Sequence, residues 1–375
     1  MSRPVIVSPG PVDVSPEALR DLPPLHHRSA AYERVVSESA AAVREALGTK
    51  HPVHFLTASG TGAMEAAIAN ATAPGERLLV LSCGKFGDRW AEIGAAFGCE
   101  VSVLRVPDGA AVDVAAAIGR IRADQPRHVA VTHVESSTGS LFPLKELAAR
   151  LGSERPTVIV DAVSSFAAEE LEMDAWGIDV VAGASQKALG APAGAGFVCM
   201  GKGAMRPGRR GLYYFDLRRY ASEAGESATP FTPAVGTMQA IHRSLDAMRG
   251  YGFDAVRSRH RLASEAFLSA CGALGLSVFP EEPSAAVQAL GLPDGARGED
   301  LLDALSRKGF IAAGGQGALR GRIVRTGFLG LYDGGTLLRL VRALSEALRD
   351  AGIAGEAALA EERMMAYSEK SRLFS

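Results

Sequence analysis

Between Val53 and Met200 short, β-branched apolar runs alternate with alanine-rich stretches of helical period. The runs Val53–Ala58, Arg77–Cys83, Glu100–Val106, His128–Val134, Thr157–Val163 and Asp179–Ser185 read as strands, with Gly196–Gly201 as a further one. Helical patterns lie between them at Gly62–Ala71, Asp88–Phe97, Val114–Ala123 and Leu144–Leu151. Runs this apolar need cover on both faces, and strands separated by helices pair in parallel. The pattern therefore predicts an α/β fold with a mostly parallel, doubly wound sheet. Ligands on such a sheet bind beyond the carboxyl ends of its strands.

From about Arg243 longer helical segments take over, at Leu245–Cys271, Gly298–Lys308 and Thr336–Ala351, with weaker strand signals at Leu276–Phe279 and Arg322–Thr326. At 375 residues the chain exceeds what one hydrophobic core usually serves. The expected organisation is an N-terminal arm over 1–24, a large domain over 25–242 and a smaller α+β domain over 243–375. Pro4–Pro24 is too rich in proline and glycine for a regular element, and Glu356–Ser375 reads as a polar helical tail. No internal repeat is evident.

Composition narrows the function. A net charge of −2 supplies no long-range field to gather nucleic acid or anionic lipid. No apolar run is long enough for a signal peptide or a membrane span, so a cytoplasmic protein is expected. Cys83, Cys99, Cys199 and Cys271 lie far apart without C-x-x-C spacing, which fits free thiols in a reducing compartment. His133 and Glu135 lack a third ligand nearby, so no metal site is expected.

Lysine is scarce: seven lysines stand among the 40 basic residues, the rest being arginine. Arginine neither loses its proton nor forms an imine, so a retained lysine marks either chance or a need for a deprotonatable amine. Lys187 is the sole charged residue between Val180 and Gly201 and follows a predicted buried strand. Small apolar surroundings depress an amine's pKa and make it a nucleophile, whereas an exposed loop lysine is the plain alternative. Asp161 ends the apolar run Thr157-Val-Ile-Val-Asp161, where a carboxylate needs a cation or several donors, unless it merely caps the turn.

Weaker signals surround these two. Ser59-Gly60-Thr61-Gly62 opens a helix after a strand, an arrangement that holds a phosphate or simply caps the helix. His133-Val-Glu135-Ser136-Ser137-Thr138-Gly139 gathers polar side chains after another strand. Phe86 suits stacking on a planar ring or packing in a core. Arg325 sits in a short strand before a glycine turn, where a guanidinium can clamp a carboxylate or face solvent.

In their order and spacing these segments resemble the class V aminotransferases of the fold-type I pyridoxal-phosphate enzymes. The likeness runs from Ser8-Pro-Gly-Pro11 through Ser59-Gly-Thr61, Gly84-Lys-Phe-Gly87, Glu135-Ser-Ser-Thr-Gly139, Asp161-Ala-Val-Ser-Ser165 and Ser185-Gln-Lys-Ala-Leu189 to Thr232-Pro and Arg325-Thr-Gly. It implies a cofactor, pyridoxal 5'-phosphate, bound to Lys187 as a Schiff base, with Asp161 on the pyridine nitrogen. It further implies that Ser59, Gly60, Thr61 and Gln186 hold the phosphate, with Thr232 reaching in from a second subunit of a homodimer. Phe86 and Val163 take the two ring faces, Ser136 or Thr138 the hydroxyl edge, and Arg325 the substrate carboxylate. Arg28, in His27-Arg28-Ser29, is a candidate for a second acidic group of the substrate. The segment Ala191-Pro-Ala-Gly194 departs from the family's usual Pro-Pro-Gly, a change the fold should tolerate.

The implied reaction is a transamination from a small amino acid (alanine, serine, aspartate or 2-aminoethylphosphonate) to a small 2-oxo acid such as pyruvate or glyoxylate. Lyases and cysteine desulfurases share this fold, but a desulfurase needs an exposed nucleophilic cysteine, and the stretch from Arg322 to Tyr332 has none. A non-catalytic scaffold would leave Lys187 and Asp161 as coincidence.

Overall fold

The computed structural model describes residues 3–14, 16–152, 155–206, 211–224, 228–293, 295–330, 332–353 and 355–371. Its main feature is a seven-stranded sheet in the order Val53–Leu56, Gly196–Met200, Val180–Ala184, Thr157–Asp161, His128–Thr132, Arg77–Ser82, Glu100–Arg105. Gly196–Met200 runs antiparallel to both of its neighbours, and the remaining pairs are parallel. Alternation along each strand feeds two cores. Leu79, Leu81, Val129, Val131, Val158 and Val160 point to one face. Leu78, Val80, Ala130, Ile159, Val180 and Ala182 point to the other. This double cover is what the near-continuous apolar runs required.

Helices close both faces. Gly60–Ala71 starts at Ser59, whose hydroxyl accepts from the Gly62 N–H, and its alanines let it lie close on the sheet. Lys85–Ala96 starts at Gly84, with φ 155° and an added Cβ only 2.6 Å from Ser137 Oγ, so a side chain there would disturb the neighbouring loop. Val114–Asp124 and Leu144–Leu151 complete the set anticipated from period alone.

After the sheet, a four-stranded antiparallel sheet (Ser277–Val278, Gln288–Gly291, Ile323–Thr326, Ala313–Gly314) packs with Phe253–Ala273, Gly298–Arg307, Gly334–Asp350 and Ala357–Ser371 around a second core. The structure differs from expectation in several places. The helix expected over Leu245–Cys271 is two helices, Val235–Tyr251 and Phe253–Ala273, because Gly252 takes φ 84° and ends the first. The helix Ala30–Ala46, capped by Ser29, went unanticipated. The strand Gln288–Gly291 did too. The arm, expected to be irregular, contributes Val5–Ile6 as a parallel partner of Phe310–Ile311 and a single turn at Pro16–Leu19. Of the polar tail, Ala357–Ser371 is helical and 372–375 lie outside the described residues. Among the described residues no helix is long and apolar enough to cross a membrane.

Candidate active site

The carboxyl ends of five parallel strands and the segments that follow them meet at one edge of the large sheet, and each brings a residue singled out by sequence: Ser59, Phe86, Ser136, Asp161 and Lys187. Lys187 is buried, and its Nζ donates to the Pro9 carbonyl at 2.5 Å. Burial pushes the amine down to about 8, with Arg325 adding to the effect and Asp161 and Glu135 opposing it. Asp161, last residue of its strand, is also buried, and its Oδ1 accepts from the Val163 N–H at 2.8 Å. Burial pushes this carboxyl up to about 7; the Val163 bond and the Lys187 and Arg89 charges pull the other way. No cation pairs with Asp161 within ion-pair distance among the described residues.

The helix opening at Gly60 lies against Val163, for an added Cβ at Gly60 would stand 2.9 Å from Val163 Cγ2. Thr61 Oγ1 accepts from Arg89 Nη1 at 3.0 Å, and the Arg89 guanidinium stacks 4.7 Å from the centre of the Phe86 ring. Phe86 itself is fixed through its backbone. Glu135 Oε2 accepts from the Phe86 and Gly87 N–H groups at 3.0 and 2.9 Å, while Oε1 accepts from the Ser137 N–H and hydroxyl at 3.0 and 2.5 Å. Burial raises the Glu135 carboxyl, and these four donors counter it. Gln186 Oε1 is buried without a partner.

Arg325 is buried and reaches across from the small sheet. It donates to Gly314 O through Nε and Nη2, at 3.0 and 2.7 Å, and to Ser136 O through Nη1 at 2.5 Å. Carbonyls orient the guanidinium but carry no net charge, and burial lowers its pKa. Thr138 Oγ1 bonds Ser140 Oγ at 2.9 Å in a buried pair. Two expected residues lie elsewhere. Arg28 and Thr232 are exposed, and Arg28 Nη2 donates to Pro230 O at 3.2 Å, so they share a surface segment. No described hydrogen bond joins either to Lys187, Asp161 or Arg325.

Three participants went unnoticed in the sequence. Arg89 follows Phe86 by three positions in a helix, which places the pair on one face, and that spacing was the available signal. Glu135 stood inside a motif already noted, but its task depends on backbone donors 48 and 49 residues away. The Pro9 carbonyl is main chain, and no side-chain pattern reports it.

The arrangement fits pyridoxal phosphate. Among the described residues a buried amine lies near a carboxyl with no ion-pair partner, an amide oxygen has no donor, and a helix N-terminus opens toward the cluster. A relative from Anabaena cylindrica, named as the 42 kDa subunit of a soluble hydrogenase, is 34% identical over 360 residues, covering 93% of this chain and 94% of its own. An aspartate aminotransferase structure from Thermus thermophilus superposes with TM-score 0.86 at 32% identity, covering 93% of this chain and 100% of that one. The ureidoglycine–glyoxylate aminotransferase structure from Bacillus subtilis reaches TM-score 0.91 at 26% identity, covering 98% and 99%. The aminotransferase class-V family profile matches residues 20–323, and the chain belongs to that family of fold-type I aminotransferases, whose cofactor is pyridoxal phosphate.

Proposed function

We propose that this aminotransferase moves an amino group from a small amino acid to a small 2-oxo acid, glyoxylate or pyruvate, with Lys187 as the residue that joins the coenzyme. The observation that carries the reading is the buried Lys187 amine in one charge cluster with Asp161 and Arg325 at the carboxyl edge of the sheet. When bound, pyridoxal phosphate supplies an aldehyde for an amine to join and a ring that takes up electron density.

The chain's own residues do the rest. Lys187, its pKa brought toward neutrality by burial, accepts the donor's α-proton at Nζ and later gives a proton back. Asp161 holds the proton of the ring nitrogen. Ser59, Gly60, Thr61 and Gln186 hold the phosphate, Phe86 and Val163 cover the ring, and Ser136 or Thr138 meets its hydroxyl edge. Arg325, already oriented by the Gly314 and Ser136 carbonyls, takes the substrate carboxylate and gains the anion it lacks. The likeness to a ureidoglycine–glyoxylate aminotransferase from Bacillus subtilis and an aspartate aminotransferase from Thermus thermophilus supports glyoxylate as acceptor and a small amino acid as donor.

In this reading Thr232 acts from a second copy, and Arg28 meets a second acidic group of the substrate. Both are exposed, and Tyr213 beside them is 65% exposed, a surface suited to a homodimer. The division at residues 24 and 242 into arm, large domain and small domain, and a cytoplasmic location, belong to the same proposal. A desulfurase is not favoured, since Cys83, Cys199 and Cys271 are buried and Cys99 is half-buried, and neither is a lyase, since both solved structures named above are aminotransferases. Among the described residues no three His, Cys, Asp or Glu side chains gather as a metal site.

The test is a half-reaction. Protein loaded with pyridoxal phosphate is mixed with single amino donors, and its visible band is followed, then restored with glyoxylate or pyruvate. Loss and recovery of the band support the reading. A band unmoved by alanine, serine, aspartate and 2-aminoethylphosphonate ends it, and borohydride fixation followed by peptide mass mapping shows whether the label is on Lys187.

A further inference from the structure

The phosphate cradle assigned above is electrically incomplete. Ser59, Gly60, Thr61, Gln186 and Thr232 are all neutral, yet the group they hold carries close to two negative charges. A helix N-terminus contributes only about half a positive charge. The cradle therefore needs a cation, and among the described residues Arg89 is the cationic side chain hydrogen-bonded to this loop.

Its placement is specific. Arg89 lies on the helix Lys85–Ala96 and crosses to Thr61 on the helix Gly60–Ala71, so the bond at 3.0 Å ties two helix N-terminal turns together. The guanidinium is half-buried and stacks at 4.7 Å on the Phe86 ring, which fixes its plane. No carboxylate forms an ion pair with it among the described residues, in contrast to Arg105, which pairs with Asp88 one position away. A planar cation, held by an aromatic face and a hydroxyl and left without an anion, is what an incoming phosphate calls for.

We infer that Arg89 is the charge-neutralising residue of the coenzyme phosphate site, and that its contact with Thr61 holds that place until the phosphate arrives. The inference rests on the assignment of the Ser59–Thr61 loop to the phosphate. It separates two coenzymes by chemistry: pyridoxal phosphate uses Arg89, and pyridoxal, with the same aldehyde and ring but no phosphate, does not.

The experiment compares coenzyme-free wild-type protein with Arg89→Met and Arg89→Lys, titrated with pyridoxal phosphate and separately with pyridoxal, reading the dissociation constant from absorbance and protein fluorescence. Arg89→Met is expected to weaken pyridoxal phosphate by roughly tenfold to a hundredfold, the range of a charge-assisted hydrogen bond, while pyridoxal binding stays within about twofold. Arg89→Lys is expected to recover part of the loss. Retained pyridoxal binding doubles as proof that the variant folds. Equal weakening of both compounds would make Arg89 a support for Phe86 and overturn the inference, as would unchanged affinity for pyridoxal phosphate. A wild-type protein that takes up neither compound would instead overturn the coenzyme assignment beneath it.

Discussion

Replacing Asp161 by asparagine should stabilise the protein without coenzyme and weaken it with coenzyme, and this change of sign is the signature of a residue kept for function. The Asp161 carboxyl is buried, and burial raises it from 3.8 to about 7. Its folded pKa thus lies above the unfolded one, so the folded state binds the extra proton between these values. The favourable contribution is present below about pH 4 and is lost as pH rises through about 7. About three pH units of separation correspond to roughly 4 kcal/mol at pH 8, and roughly 2 kcal/mol at pH 5, as upper values. Asparagine is never charged, and its Oδ1 retains the bond from the Val163 N–H. Urea unfolding of coenzyme-free wild type and Asp161→Asn at pH 5 and pH 8 measures the difference. The variant should be more stable at both, with the larger margin at pH 8. Added pyridoxal phosphate should reverse the order at pH 8, because its protonated ring nitrogen rewards a carboxylate and not an amide. A variant no more stable than wild type at pH 8 without coenzyme, or stabilised by coenzyme as strongly as wild type, would refute the reasoning.

Three further outcomes follow from the same geometry. An alanine methyl at Gly10 would stand 2.6 Å from Lys187 Cδ and Cε, at φ +134°, so Gly10→Ala must displace the lysine or the arm. Its coenzyme uptake, followed by stopped-flow absorbance, should slow by about tenfold or more, with a loss of roughly 1–3 kcal/mol in stability. Coenzyme uptake by the wild type should accelerate with a midpoint near pH 8 as the Lys187 ammonium loses its proton, and Asp161→Asn should move that midpoint down, since the Asp161 charge raises it. Arg325→Gln should raise KM for a carboxylate-bearing donor by roughly tenfold to a hundredfold and leave a simple primary amine little affected, a split that steady-state kinetics reads directly.

The large sheet was legible because its strands are nearly unbroken apolar runs; the starts at Val53, Arg77, Glu100, His128 and Thr157 match the expectation. Their ends were placed one or two residues too late. Past Leu56, Ser82, Thr132 and Asp161 the chain leaves the sheet to build the site, although an apolar residue (Ala58, Cys83, Val134, Ala162) still follows within two positions. Lys187 and Asp161 stood out because charge is rare in such surroundings. Gln288–Gly291 could not be read locally, since it is a strand only through pairing with Ile323–Thr326 and Ser277–Val278. Gly252 ends one helix and starts another through a positive φ, whereas the helical period on either side runs on undisturbed. Arg89 and Glu135 escaped notice for one reason: each acts on a partner brought near only by folding.

The leading segment has a practical consequence. Val5 and Ile6 pair with Phe310 and Ile311, Gly327 N–H donates to Val7 O at 2.9 Å, Pro9 O holds the lysine, and Val12 N–H donates to Gln186 O at 3.0 Å. The segment 5–12, through Val5, Ile6, Val7, Pro9 and Val12, thus links the C-terminal sheet region to the loop carrying the reactive amine. A substitution in this segment, far in sequence from the lysine, is therefore an intervention at the reaction centre.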